Sequence, residues 1–191
     1  MGGLRPEYGP GTLLVPDQLV DRTKSRTGTY FDGLPLSDGT VPNVVHVSLA
    51  DPYCPVGRSA ALKAARGRGW EPVDGGTLVV IEGPRFSTRA ESLWHRAQGW
   101  SVVGMTGHPE AALARELELC YTSLTLVTDL DAGAESGEGV SHEEVLRVFA
   151  ANVDRLRDVL FDAVAALPSD GQRDCLCMKA LGGLDPGFEL P

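Results

Sequence analysis

The stretch from Gly76 to Asp131 constrains this chain most, because three apolar runs in it each end in a cluster of polar residues. The first run, Gly76-Thr77-Leu78-Val79-Val80-Ile81, is β-branched and has the length of a buried strand. It breaks at Glu82-Gly83-Pro84-Arg85-Phe86-Ser87. The second, Ser101-Val102-Val103-Gly104, leads into Met105-Thr106, and the third runs from Thr122 to Thr128 and closes on Asp129-Leu130-Asp131. In an open α/β sheet, ligands sit beyond the carboxyl ends of parallel strands. By that rule Phe86 and Ser87, Met105 and Thr106, and Asp129 and Asp131 share a cleft.

Helices fit between these strands. Thr88-Arg89-Ala90-Glu91 has the form of a capping box, which starts a helix running to Gln98 and gives Glu91 a structural task. Pro109 suits the first turn of a helix over 110–117. Ser141-His142-Glu143-Glu144 is a second box, and Val145, Phe149, Val153, Leu156, Leu160 and Val164 recur at helical spacing, so a long amphipathic helix is expected to turn that stripe to the core and end near Leu167. Ahead of Gly76, Met1 to Pro6 looks like a turn under way, Thr12 to Val15 is a short strand, and Lys24 to Asn43 is a long polar loop. Val44 to Val47 is expected to be a strand holding His46, and 56–68 a helix.

The 191 residues suffice for one domain, 1–191, with 169–191 as a C-terminal tail. With 17 basic and 26 acidic side chains and a net charge of −9, the chain offers no surface for a phosphate backbone or an anionic membrane. The sequence contains neither an apolar run of membrane-spanning length nor a basic-then-apolar leader, so a cytoplasmic location is expected. Four cysteines are too few for a disulfide framework, and no His cluster accompanies them at zinc-finger spacing. Cys54 and Cys120 are expected in or near the core.

The ordered set Gly83-Pro84-Arg85-Phe86-Ser87, Met105-Thr106 and Thr128-Asp129-Leu130-Asp131 resembles the trimeric nucleoside phosphorylases, in particular the S-methyl-5′-thioadenosine phosphorylase branch. The resemblance reaches from Gly2 to the helix ending near Leu167, and Pro16-Asp17-Gln18 with Asp21-Arg22-Thr23 is similar to the family's strand-to-loop signature. It implies an α/β fold with a mixed central sheet flanked by helices. The family has further chain ahead of Met1, so its N-terminal strands, a Gly/Ser phosphate loop, an Arg-His pair and a Thr-Ala pair are missing here. An internal start codon or a fragment would account for that.

The resemblance also implies roles. Phosphorolysis breaks the bond between ribose and base as phosphate attacks the sugar, and negative charge develops on the purine; a carboxyl that hydrogen-bonds N7 stabilises that charge. Asp129 would do this, with Asp131 on the adenine edge, Thr128 and Ser87 binding substrate, Phe86 against the base or ribose, Met105 on the sugar and Thr106 on phosphate. Asp129 with Ser87 implies a 6-aminopurine. His46 would reach the 5′ end of a neighbouring subunit's nucleoside in a homotrimer. Ser141-His142-Glu143-Glu144-Val145-Leu146 is similar to the oxopurine branch, where the His binds a 5′-hydroxyl, so methylthioadenosine and adenosine or inosine both stay open. Inorganic phosphate is the implied co-substrate, with no metal or organic cofactor, and a non-catalytic nucleoside-binding remnant is the contrasting reading. Cys175-Leu176-Cys177 matches a Cys-x-Cys that bonds covalently in some thermostable relatives, but free thiols are expected here.

Overall fold

A computed structural model describes residues 1–133, 139–169 and 175–190. Strands β1 (Gly2–Gly3), β2 (Leu13–Val15) and β3 (Gln18–Arg22) come first, then helix α1 (Pro55–Gly67). Strands β4 (Val73–Asp74) and β5 (Thr77–Ile81), helix α2 (Arg89–Ala97), strand β6 (Val102–Gly104) and helix α3 (Glu110–Glu116) follow. The described chain closes with β7 (Thr125–Leu126), β8 (Asp129–Leu130), the long helix α4 (His142–Ala165) and a 3-10 turn over Leu176–Lys179. Five strands form one sheet in the order β3-β5-β6-β1-β8, and β4-β2-β7 form a second. This is the mixed α/β architecture expected.

Burial explains why β5 is an unbroken apolar run. Leu78 and Val80 enter a core with Leu14, Val102 and Val127, while Val79 points the other way onto Leu4 and Val103. A strand covered on both faces cannot alternate with polar residues. Below the second sheet, Leu13 and Val15 pack on Ala61, Ala64 and Ala65 of α1 and on Val159 and Ala163 of α4. The small alanines let α4 lie close to α1, and that approach decides which face of α4 is buried.

Several expectations fail here, each for a tertiary reason. Gly2–Gly3 is no turn: β1 sits between β6 and β8, antiparallel to the first and parallel to the second. Gln18–Arg22 is no loop entry but a five-residue strand parallel to β5. Val44 to Val47 forms no strand; Val44 and His46 are exposed along an extended loop. Of the run from Thr122 to Thr128 only Thr125–Leu126 forms a strand, β7, which pairs with β2, and the next residues, Asp129–Leu130, form β8, which pairs with β1 in the other sheet. On α4 the buried residues are Val148, Val159 and Ala163, whereas Phe149, Val153, Leu160 and Val164 of the expected stripe are exposed. The helix is apolar on two adjoining faces, and periodicity cannot say which of them meets the alanines of α1. The second capping box closes only on one side, Ser141 Oγ accepting from the Glu144 amide at 3.5 Å.

Leu13 is fully buried in the α1–α4 core. Leu13→Ala is expected to lower the unfolding free energy by about 2–5 kcal/mol, read by urea denaturation; a loss below about 1 kcal/mol would show that this core collapses around the change.

Candidate functional site

The site is assembled around β1. Gly2 pairs with Val103 on one side and Asp129 on the other, so the ends of β6 and β8 meet across a strand that has no side chains. A Cβ on Gly2 would lie 2.9 Å from Asp131 Cβ and 3.2 Å from Asp129 Oδ1, and one on Gly3 would lie 2.2 Å from the Tyr8 carbonyl oxygen. Only glycine permits this approach. Because β1 is antiparallel to β6 and parallel to β8, Asp129 stands at the first residue of its strand. The expectation that all three polar clusters follow parallel strands therefore holds for β5 and β6 and fails for β8. The cleft forms because the start of β8 lies beside the end of β6.

A cavity of about 250 Å³ opens there. Phe86, Ser87, Met105, Thr106, Thr128, Asp129 and Asp131 all line it, as the sequence predicted, together with Val145 from α4 and Ile81 from β5. Thr106 is exposed on the wall and does not cap a helix, since the residue preceding α3 is Pro109. His142 heads α4 three residues before Val145, is exposed, and is not among the residues lining the cavity. His46 lines a different pocket, beside Phe31 and Glu116.

The polar groups of the cavity differ in how far they are satisfied. Asp129 Oδ2 accepts from Thr128 Oγ1 at 2.7 Å, and both residues are buried. Asp131 is 4% exposed, and burial raises its pKa above 3.8, with Ser87 and Ser92 drawing it partly back. Even so, among the described residues neither Asp131 Oδ2 nor Ser87 Oγ closes a hydrogen bond. A buried carboxylate oxygen and a buried hydroxyl without well-formed protein partners, on residues that line one cavity and close enough for Ser87 to act on the Asp131 carboxyl, suit a site that takes a polar ligand.

The loops that carry these groups are held from outside. The expected capping box forms: Glu91 Oε2 accepts from the Thr88 amide at 2.7 Å while Thr88 Oγ1 accepts from the Glu91 amide at 3.2 Å. Arg85 adds a bidentate pair to Glu91, 2.8 Å on each side, which gives it a structural place. This guanidinium, with the Thr88 amide, lowers the Glu91 pKa to about 2.

Sequence reasoning missed Arg26. Its guanidinium donates to the carbonyls of Ile81 at 3.3 Å, Glu82 at 3.0 Å and His108, and so ties the segment leading to Phe86 to the one leading from Thr106. An arginine within a long polar loop carries no signal of such a role. The same loop is fastened further on by Glu116, which accepts from Thr29 Oγ1 at 2.6 Å and the Tyr30 amide at 2.7 Å.

A larger cavity, about 470 Å³, lies elsewhere, by Asp17, Tyr53, Arg58 and Arg115. Size does not make it the better site. Arg58 is bonded to the carbonyls of Val15 and Pro16 and to Asp74, and Arg115 to the carbonyl of Asp51, so its two arginines are already engaged within the chain, while Lys179 also lines it.

A mixed sheet with an acid-lined cavity at the meeting point of β5, β6 and β8 defines an α/β protein built to hold a small polar ligand. The profile of the phosphorylase superfamily matches residues 1–165, and the chain belongs to that family. It is 88% identical over its whole length to a purine nucleoside phosphorylase of Streptomyces coelicolor, covering 68% of that protein. It is 49% identical, over the same share, to an S-methyl-5′-thioadenosine phosphorylase of Mycolicibacterium smegmatis. Among solved structures, a methylthioadenosine phosphorylase from an Antarctic soil metagenomic library superposes with a TM-score of 0.81 at 35% identity over 96% of this chain. An adenosine/methylthioadenosine phosphorylase mutant of Schistosoma mansoni, in complex with adenine, gives 0.79 at 35% identity over 86%. The chain spans 62% of each of those solved chains.

Two pH effects follow from these carboxyls. Because the folded pKa of Glu91 is depressed, its contribution to stability is complete above the unfolded value of 4.5 and is lost as pH falls toward about 2. Glu91→Gln is expected to flatten the acid limb of stability against pH between those limits; an unchanged limb would count against the Arg85–Glu91 clamp. For Asp131 the sign is opposite, since its folded pKa is raised. Asp131→Asn is expected to raise the thermal midpoint at neutral pH, and the gain should vanish below the unfolded value of 3.8.

Proposed function

We propose that this protein takes part in phosphorolysis of 6-aminopurine nucleosides, converting S-methyl-5′-thioadenosine and inorganic phosphate to adenine and S-methyl-5-thioribose 1-phosphate. The observation that carries the reading is the gathering of the buried Asp131 carboxylate, the Ser87 hydroxyl and the Asp129 carboxylate on one cavity, with Asp131 Oδ2 lacking a well-formed protein partner. A 6-amino group donates hydrogen bonds, and an open carboxylate oxygen accepts them. The neighbours whose names include methylthioadenosine phosphorylase, one of them holding adenine, support the same chemistry.

In this reading Asp129 hydrogen-bonds purine N7, where charge develops as the glycosidic bond breaks, and Thr128 orients its carboxylate through the bond at 2.7 Å. Phe86 lies on the base and Met105 on the sugar, and Thr106 offers its exposed hydroxyl to phosphate. The reaction uses no metal or organic cofactor. The exposure of His46 supports a role toward a neighbouring chain in a homotrimer, and His142 heads the helix whose next turn, at Val145, borders the cavity.

A second reading, general purine nucleoside phosphorolysis, is favoured by the name of the relative at 88% identity.

The test is base release from methylthioadenosine, adenosine and inosine, with and without phosphate. Phosphate-dependent adenine release is expected, with Asp129→Asn lowering kcat/KM about 10²-fold or more. Release that ignores phosphate would overturn phosphorolysis, and adenine binding without turnover would leave a nucleoside-binding role.

A further inference from the structure

Four cysteines, far apart in sequence, converge outside the purine cavity. Cys54 precedes α1, Cys120 follows α3, and Cys175 and Cys177 flank the start of the 3-10 turn. Their sulfurs all lie within 4.8 Å of one another, and Cys120 Sγ is 3.5 Å from Cys175 Sγ. All four are free thiols, and Cys54, Cys175 and Cys177 are buried. None lines the cavity that holds Asp129 and Asp131.

We propose that Cys54, Cys120, Cys175 and Cys177 form a structural tetrathiolate site for a thiophilic divalent cation, zinc first. Tetrahedral zinc with bonds of about 2.3 Å sets neighbouring sulfurs about 3.8 Å apart, so closing the cluster needs shifts of about 1 Å or less. The mutual proximity is the decisive feature. Two separate disulfides need only two close pairs, whereas here every sulfur is near the other three. An all-sulfur ligand set selects zinc over hard cations such as magnesium and calcium.

The surroundings suit such a site. The segments bearing the ligands are already joined, the Cys54 amide donating to the Tyr121 carbonyl at 2.8 Å and the Leu181 amide to Glu118 Oε1 at 2.9 Å. Four thiolates around a dication carry net negative charge, which Cys54 places at the N-terminus of α1, where the helix dipole favours it. Arg115, 8% exposed, lines a cavity shared with Cys177 and adds a fixed positive charge. On loading, four S–H protons leave to solvent as four metal–sulfur bonds form, with no electron transfer. The ion would clamp the C-terminal segment onto α1 and α3.

The experiment uses the full chain purified under reducing, oxygen-free conditions, with Zn(II) and then Co(II) as probes. About one zinc per chain is expected by elemental analysis, and cobalt should give thiolate charge-transfer bands with intense visible bands of a tetrahedral site. Cys177→Ser should lose those bands, while Cys177→His, a Cys3His set, should keep a shifted set. The wild-type titration stands even if a variant fails to fold. No stoichiometric uptake by the reduced wild-type chain, or cobalt bands that survive Cys177→Ser unchanged, would overturn the assignment.

Discussion

The close pairing of Gly2 and Gly3 between β6 and β8 is the constraint on which the rest of the site depends. Each contributes backbone hydrogen bonds and no side chain, and the space a Cβ would need is occupied by Asp131, Val103 and the Tyr8 carbonyl. The two strands it joins run in opposite senses, so the end of one and the start of the other deliver Met105 and Asp129 to the same rim. Parallel geometry alone would have put Asp129 at the far edge.

That rim combines a well-satisfied group with poorly satisfied ones. Thr128 holds Asp129, whereas Asp131 and Ser87 remain open while buried, a state that costs stability and is compensated only when a ligand supplies partners. The apolar cores on either side of β5 hold the framework, and Arg26 and the Glu91 clamp fix the loops that carry these groups. Binding energy is thus set aside by the fold before any ligand arrives.

The cysteine cluster belongs to the opposite logic. It lies apart from the cavity and joins the N-terminus of α1, the segment after α3 and the C-terminal turn in a small cluster with Val56. Near it, Leu160 and Val164 of α4, with Leu167 just past its end, border an apolar groove with Cys54 and Cys120, beside the face of α4 that packs on α1.

What the sequence determined by itself was mostly local. The apolar runs of β5 and β6, the Thr88–Glu91 capping box and the long helix after Ser141 all appear, because short-range periodicity and capping are written in adjacent residues. The seven residues from Phe86 to Asp131 in the cavity were legible through ordered motifs, whereas composition offered no hint of Arg26. Only the tertiary structure decided that Gly2–Gly3 is a strand, that Thr125–Leu126 and Asp129–Leu130 join different sheets, which face of α4 is buried, and that four cysteines spread along the chain meet. Each of those outcomes depends on which distant surface a segment meets, and contact across sequence leaves no period in the sequence to read.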